Sequence, residues 1–292
     1  MISVIICSVN PAMLANVKQN IAETIGVPYE IISIDNSKNT YGICKAYNEG
    51  GAKARFPILC FMHEDVSFET MNWGDKVRAH LSDERTGLLG IAGGDSKAMV
   101  PSSWSVPVVS NEINIVQHYK SKKLPPERIV TTNNETAGNL KRVVAVDGVW
   151  LCTRKEVFER FTFDDKTFTG FHGYDIDYSL QVSTAYKVAV VFDIVIHHYS
   201  EGTPDSRWID SAIKVSKKWK SYLPVSVYNL SEAQYNLHHW NSLQVYIQHL
   251  FRLKYNYFVI LRSLFFYSFS RYFSFRRFLS MSKYVLSSMY KK

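Results

Sequence analysis

The sequence predicts an α/β fold, with a mostly parallel sheet flanked by helices and a helical, basic and aromatic C-terminal extension. Strand-like and helix-like patterns alternate through the first third of the chain, and the strands are continuous apolar runs, typical of parallel strands buried on both faces. The excess positive charge lies at the other end. With 292 residues, 46% hydrophobic and 21% charged, the composition excludes disordered, collagen-like and low-complexity proteins and suits one large domain with an appendage.

The first strand is predicted over residues 3–7, an apolar and largely β-branched run. Asn10 and Pro11 then supply a helix N-cap followed by proline at the first helical position, and apolar residues recur at helical spacing up to Ile25. The same rhythm continues with strands predicted over 30–34, 58–62 and 87–92, and helices over 43–54 and 70–81. This order predicts right-handed βαβ units in one sheet.

The second half of the chain is less regular. Prolines and polar residues over 101–140 predict loops, with short strands at 113–119 and 142–147. Helices are predicted over 154–160, 175–185 and 206–222, and a strand over 187–196. Because Pro224 and the polar residues after it mark a boundary, we expect a domain of residues 1–225 and an extension of residues 226–292.

The cysteines and the N-terminus point to the same compartment. Cys7, Cys44, Cys60 and Cys152 form no CxxC pair and no dense framework, which favours a reducing environment. The chain enters its first strand without the features of a secretory signal. We therefore expect a cytoplasmic protein.

The charge of the extension differs from that of the domain. Glu232 is the last acidic residue, and the nine Lys and Arg that follow it account for the whole net charge of +8. The same stretch holds 17 of the 41 aromatic residues. Two interpretations remain open: residues 241–292 lie on an anionic membrane surface at the inner face of the cell membrane, or they form a helical subdomain packed on the rest. A nucleic-acid partner is not expected, because no nucleic-acid-binding module is recognisable.

Polar and ionisable residues follow five of the predicted strands. In open α/β sheets, ligands bind beyond the carboxyl ends of the strands, so these residues are the candidate site. Each has an ordinary structural alternative: a helix cap, a turn, or a hydrogen-bonded core histidine. The candidates are Ser8 and Asn10, then Asp35, Asn36 and Ser37, then His63, Glu64 and Asp65, then Asp147, and finally His197 and His198.

Several stretches in this order resemble the family 2 glycosyltransferases, which have the GT-A fold, a Rossmann-like nucleotide-diphospho-sugar transferase architecture. The resemblance spans roughly residues 2–200. It is carried by the first strand and loop, the second strand and the helix containing Asn48, the stretch at the family's Asp-x-Asp motif, and the helix start at its Glu-Asp-x-Asp-Leu motif. These are residues 4–10, 32–37, 46–54, 61–66 and 173–180.

The resemblance implies a sugar transfer from a UDP-, GDP- or dTDP-linked donor to a hydroxyl of a glycan or lipid-linked saccharide. It implies inversion of configuration and a role in surface polysaccharide or glycolipid synthesis. Asp35 would contact the base, and Asp147 the donor sugar or the acceptor. The other candidates for nucleotide-sugar binding are Ser8, Asn10, Asn36, Ser37, Asn48, His63 and Glu64.

Metal ligands and a general base can be assigned from chemistry as well. A cation that bridges two phosphates prefers hard oxygen ligands such as Asp65, so Mn²⁺ or Mg²⁺ is expected. A histidine ligand would favour Mn²⁺; His198 is the first candidate and His197 the second. Asp175 lies at a helix start, where its charged form is favoured, and is the first candidate for general base, with Asp177 as the alternative.

Two departures from the family pattern support a rival hypothesis. His63 and Tyr174 stand where the family has a carboxylate, although a His-x-Asp-Val branch of the family is recognisable. The rival is a non-catalytic protein on the same fold that binds nucleotide sugars or docks on membranes. A nucleotidyltransferase is disfavoured because residues 8–11 are not a glycine-rich phosphate loop.

Overall fold

The computed structural model describes residues 1–105, 111–119, 124–132, 138–202 and 204–290. Its strands are β1 (Ile2–Ser8), β2 (Tyr29–Asp35), β3 (Ile58–Met62), β4 (Val66–Phe68), β5 (Thr86–Gly90), β6 (Ala92–Gly94), β7 (Ser96–Lys97), β8 (Asn111–Gln117), β9 (Glu127–Thr131), β10 (Leu140–Val143), β11 (Ala145–Val146), β12 (Trp150–Arg154), β13 (Lys187–Val191), β14 (Ile196–His198) and β15 (Val225–Ser226). Its helices are α1 (Pro11–Thr24), α2 (Ile43–Lys53), α3 (Trp73–Leu81), α4 (Lys155–Arg160), α5 (Tyr174–Ser183), α6 (Ser206–Lys218), α7 (Glu232–Arg252), α8 (Tyr257–Ser268) and α9 (Phe275–Tyr290).

Seven strands form the main sheet, in the order β10-β13-β5-β12-β3-β1-β2. Only β12 and β10 run against the other five, which confirms the predicted mostly parallel sheet. Ile2 of β1 is in register with both Tyr29 of β2 and Ile58 of β3. The carboxyl ends of these three strands therefore lie side by side.

A second sheet of six strands was not predicted. It has the order β11-β6-β8-β14-β4, with β9 paired to β8. The predicted strand over 187–196 is in fact divided between the two sheets, with β13 in the first and β14 in the second. The side-chain amide of Asn114 explains the break: it donates hydrogen bonds to the carbonyls of Val191 and Ile194, at 3.1 and 2.7 Å, and so satisfies backbone acceptors that leave the ladder.

Hydrophobic cores lie on both faces of the main sheet, as continuous apolar strands require. Ile5 and Phe61 face a core shared with α2, α4 and α5, while Ile6 and Met62 face one shared with α1 and α3. Helix α2 approaches α4 closely at Gly51, where an added Cβ would lie 2.5 Å from the ring of Phe158. Gly51 lies in the interior of α2, where glycine disfavours a helix, and it is therefore required by packing.

The extension consists of helices α7, α8 and α9, as predicted. Helix α7 begins with a capping box, in which Ser231 and Gln234 satisfy each other's backbone N–H groups. A third core joins the extension to the domain: Trp240, Leu243 and Ile247 of the extension cluster with Val100 and Ile209 of the domain. Among the described residues, no helix has both the length and the hydropathy needed to cross a bilayer.

The predicted boundary between the domain and the extension differs slightly from the structure. Residue 226, assigned to the extension, belongs to β15, which pairs with β7 of the domain. Parts of the stretch 101–140 that is predicted as loops, and the last two lysines of the chain, lie outside the described residues.

The third core leads us to expect that domain and extension unfold together. Leu243→Ala removes a fully buried side chain and should cost about 2–5 kcal/mol of unfolding free energy. The matched control is Phe266→Ala on α8, where the side chain is 67% exposed and little change is expected. Calorimetry should show one unfolding transition, and only Leu243→Ala should lower its midpoint temperature. A second transition, with a midpoint that alone is lowered by Leu243→Ala, would show that the extension unfolds independently.

Candidate active site

The candidate site is built around the loops that follow β1, β2 and β3. The Ser8 carbonyl accepts a hydrogen bond from the backbone N–H of Asn36, at 2.7 Å, so the first two loops are joined. The carboxylate of Glu64, which is buried, accepts from the Ser8 hydroxyl at 2.6 Å and from the backbone N–H of Asn10 at 3.0 Å. Glu64 thus ties the third loop to the first, and its side chain shapes the site from inside the protein.

Other side chains predicted to bind the nucleotide also form hydrogen bonds that hold the loops in place. Asn10 caps α1 by accepting from the backbone N–H groups of Ala12 and Met13. The Asn36 amide bonds both backbone groups of Tyr41. Asn10 and Asn36 thus have structural roles, a helix cap and a loop contact, of the kind given above as alternatives to nucleotide binding.

Asp35 and Ser37 differ from them because both are exposed at the end of β2. A carboxylate oxygen of Asp35 accepts from the backbone N–H of Ser37, at 2.9 Å, and this hydrogen bond holds the pKa of Asp35 below its usual value. Asp35 is therefore ionised and keeps acceptor capacity for a ligand.

Three side chains converge on one point between the two sheets. His63 and Asp65 follow β3, and His198 ends β14 of the second sheet. One potential ligand atom from each lies within 4.8 Å of the others, and all three residues are half-buried. The Nδ1 of His63 and the Nε2 of His198 are each 3.9 Å from an oxygen of Asp65.

Neighbouring groups orient two of these ligands. Ser200 donates its hydroxyl proton to Asp65, at 2.5 Å. Gln117 donates its amide N–H groups to backbone carbonyls, so its Oε1 is free to accept from the Nδ1 of His198, at 3.2 Å. Although burial opposes the shift, His63, Ser200 and His198 together lower the pKa of Asp65, which stays ionised.

The third ligand candidate, His63, contacts α5. Its Nε2 lies 2.8 Å from the hydroxyl oxygen of Tyr174, which also donates to the carbonyl of Gly148, at 3.0 Å. Burial lowers the pKa of His63, against the opposing effect of Asp65, so the imidazole tends to be neutral. Phe171, which is exposed, places its ring centroid 5.3 Å from that of His63 at the edge of the site.

His197, the second histidine candidate, faces away from this group. Adjacent residues of a strand point to opposite sides, and His197 bonds Glu69 through Nε2, at 3.0 Å, and His118 through Nδ1, at 2.9 Å. The structure therefore brings His198 to Asp65 and leaves His197 outside. The structure also brings His63 to Asp65, although the sequence places His63 among the candidates for nucleotide binding.

Asp175 lies in the first turn of α5, directly after Tyr174. The sequence leads us to expect that the helix start favours the charged form of Asp175, and this is wrong: burial, and next the nearby carboxylate of Asp147, raise the pKa of Asp175 to about 7. Asp147 accepts hydrogen bonds from the indole N–H of Trp104, at 2.6 Å, and from the backbone N–H of Val149, at 2.9 Å. An aspartate with a pKa near neutrality is suited to take up a proton during a reaction.

Asp177, the alternative base, is 1% exposed and fully engaged inside the protein. Its carboxylate pairs with the Lys218 ammonium at 2.8 Å and accepts from the Trp219 indole at 2.8 Å and the Gln181 amide at 2.8 Å. These contacts join α5 to the end of α6. Asn48 plays a similar part, because its amide bonds both backbone groups of Phe163.

Sequence reasoning missed Gln117, Ser200, Trp104 and Phe171. Ser200 follows the His197-His198 pair closely, which is a usable signal, whereas Gln117 lies in the strand predicted over 113–119 and Trp104 in a stretch predicted as loop. Nothing local marks them.

The three converging side chains fit a divalent cation. They offer two imidazole nitrogens and one ionised carboxylate within 4.8 Å, partly shielded from water, and each has a hydrogen-bonding partner that orients it. Mixed nitrogen and oxygen ligands suit Mn²⁺ better than Mg²⁺, which prefers oxygen.

The fold is also found in a solved structure, and a second match is weaker. A crystal structure of GalNAc-T7 with UDP, GalNAc and Mn²⁺ matches with a TM-score of 0.53 and 14% identity, over 76% of this chain and 49% of that one. A crystal structure of TarS from S. aureus matches with a TM-score of 0.47 and 11% identity, over 85% of this chain and 43% of that one. The chain thus spans about half the length of these two structures.

Sequence comparisons give the family. No curated protein sequence matches the chain. A family model described as "Glycosyltransferase like family" matches residues 3–222, which is the whole of the predicted domain except its ends. The chain therefore belongs to this glycosyltransferase family and has the GT-A fold of its structural neighbours.

Proposed function

We propose that the protein transfers a sugar from a nucleotide-diphosphate donor, UDP-, GDP- or dTDP-linked, to a hydroxyl of a glycan or lipid-linked saccharide. The transfer inverts the anomeric configuration and depends on Mn²⁺ or Mg²⁺, in surface polysaccharide or glycolipid synthesis. The observation that carries the proposal is the group of His63, Asp65 and His198 at the carboxyl edge of the sheet. It is linked through Tyr174 to the helix in which Asp175 is the second residue.

The donor would lie over the joined loops of β1 and β2. Asp35, exposed and ionised, accepts a hydrogen bond from the base. His63, Asp65 and His198 would hold the cation, which when bound stabilises the negative charge that develops on the leaving diphosphate. The half-buried position of these ligands strengthens the attraction, because less water screens it.

Asp175 would act as the general base for the acceptor hydroxyl. As the hydroxyl oxygen attacks the anomeric carbon from the face opposite the diphosphate, its proton passes to the Asp175 carboxylate. A pKa of about 7 suits a general base, because the carboxylate is then ionised in about half of the molecules at neutral pH and binds a proton readily.

Asp65→Asn should abolish Mn²⁺-dependent nucleotide binding, because it removes the only carboxylate of the ligand group. Calorimetric titration of UDP, GDP and dTDP with and without Mn²⁺ measures this. The matched control is Asp193→Asn, which removes a carboxylate paired with His80 elsewhere in the domain. Undiminished Mn²⁺-dependent affinity in Asp65→Asn would exclude Asp65 from the site.

Asp175→Asn should leave donor binding intact and lower turnover by roughly 10²-fold or more, the usual scale for loss of a general base. The wild-type rate should fall as pH drops through about 7, because the base becomes protonated. The rate of the variant should not show this fall. Near-normal turnover would exclude Asp175 as the base. Nucleotide binding with no transfer by the wild type to any acceptor would support the non-catalytic rival.

The extension gives reason to propose a membrane partner as well. Although its inner face packs on the domain, aromatic side chains remain exposed on α8, α9 and the turn between them. Phe265, Phe269 and Phe273 are 43–60% exposed and stack on one another in sequence, with centroids 6.1 and 5.1 Å apart. The surface formed by these rings is named the phenylalanine ridge below.

Basic residues accompany the ridge. Arg262, Arg271 and Arg276 are exposed, and no acidic residue follows Glu232 in the sequence. Aromatic rings prefer the interfacial region of a bilayer, and arginine guanidinium groups pair with lipid phosphates. We propose that the ridge docks the enzyme on an anionic membrane at its cytoplasmic face, where a lipid-linked acceptor would be available.

Because α7 is part of the third core, surface substitutions test docking better than truncation of residues 241–292 does. Arg271→Gln combined with Arg276→Gln should weaken binding to vesicles containing phosphatidylglycerol by about 30-fold, since each basic residue contributes about 1 kcal/mol. Vesicle co-sedimentation at low salt measures the affinity. Lys53→Gln with Arg85→Gln removes the same charge from exposed positions of the domain and should have little effect. The proposal would be contradicted if the wild-type protein did not bind these vesicles, or if the ridge instead formed a contact between two copies of the protein.

A further inference from the structure

The two positions at which the sequence departs from the family motifs are in contact. His63 and Tyr174 are 111 residues apart, yet the His63 Nε2 and the Tyr174 hydroxyl oxygen are separated by 2.8 Å. The two residues therefore form one unit, and its hydrogen bonding determines what His63 can do.

The protons of this unit can be assigned from its partners. The Tyr174 hydroxyl has a single proton, which it donates to the Gly148 carbonyl at 3.0 Å. Its oxygen is then an acceptor towards His63, so the Nε2 of His63 must carry the hydrogen. In a neutral imidazole the other nitrogen is unprotonated. This nitrogen, Nδ1, is the atom that lies 3.9 Å from the Asp65 carboxylate.

The surroundings of Tyr174 fix the hydroxyl in place. The side chain is 4% exposed, and its ring packs edge-on against Tyr47, with centroids 5.7 Å apart. On the other side, an added Cβ at Gly148 would lie 2.1 Å from the hydroxyl oxygen. The hydroxyl reaches both the carbonyl and the imidazole only because residue 148 has no side chain.

We infer that Tyr174 is a positioning residue that holds His63 in the Nε2–H tautomer, with the Nδ1 lone pair directed to the cation beside Asp65. Gly148 makes this contact possible. The inference rests on the proposed function in so far as the three converging side chains bind a cation. Gln117 accepts from the Nδ1 of His198, whose Nε2 lies 3.2 Å from the Ser200 hydroxyl oxygen and 3.9 Å from Asp65.

The tautomer can be read directly in the wild-type protein. Long-range ¹H–¹⁵N correlation spectra of the ¹⁵N-labelled full chain, recorded without metal at pH 8 and assigned with His63→Gln, should show His63 protonated at Nε2. Tyr174→Phe should mix the tautomers or invert them. Protonation at Nδ1 in the wild type would overturn the inference without any substitution that could impair folding.

Metal binding gives the second measurement. Mn²⁺ alone, followed by the electron paramagnetic resonance signal of the free ion, should bind about 10–100-fold more weakly to Tyr174→Phe, the usual cost of losing a partner that orients a metal ligand. Gly148→Ala should weaken binding as well, because it displaces the same hydroxyl. The control is Tyr178→Phe, on the same helix and also buried, whose ring instead stacks on Phe163.

The outcomes separate this inference from the proposed function. If the wild type binds Mn²⁺ through Asp65 and Tyr174→Phe binds it equally well, the positioning role is wrong and the metal site stands. If the wild type binds no Mn²⁺, the metal site fails and the inference fails with it. Weaker binding by Tyr174→Phe and Gly148→Ala, with Tyr178→Phe unchanged, supports both.

Discussion

The register in which β1 pairs with β2 and β3 is the constraint on which the rest of the structure depends. Ser8, Asp35 and Met62 end these strands at one edge of the sheet, so the loops that follow must share a small space. Glu64 then joins the first and third loops by hydrogen bonds that replace water for buried polar groups. A slip of one residue would turn Ser8 to the opposite face and separate it from Glu64.

Much of the main sheet could be predicted from sequence because its strands are continuous apolar runs separated by helical periodicity. The second sheet could not: β8 overlaps the strand predicted over 113–119, but most of the other strands have only two or three residues, as in Ala92–Gly94. Their pairing is decided by contacts distant in sequence. The break between β13 and β14 is an example: it depends on Asn114, about 80 residues before it, and nothing in residues 187–196 signals it.

The candidate site was predictable to the level of strand ends and no further. Asp65, His198 and Asp175 stand out as ionisable groups where strands end or helices begin, and the structure places Asp65 and His198 together. Which of two adjacent histidines faces Asp65 depends on the register of β14 against β4, where His198 lies opposite Val66. The orientation of His63 as a possible ligand depends in the same way on its contact with Tyr174, which is distant in sequence. In the extension, the charge pattern left a membrane surface and a packed subdomain open, and the buried contacts with Val100 and Ile209 required the structure.

The ligand group has one further property, which follows from its position between the sheets. His63 follows β3 of the main sheet, whereas Asp65 directly precedes β4 and His198 ends β14, two paired strands of the second sheet. The backbone already joins Asp65 to the strand of His198, because the N–H of Tyr199 donates to the Asp65 carbonyl at 2.9 Å. A cation held by all three would add a link from His63 to this pair, across the junction of the two sheets. Its binding free energy would then be added to the native state alone. A higher metal concentration would therefore stabilise the junction of the two sheets, and with it the folded protein.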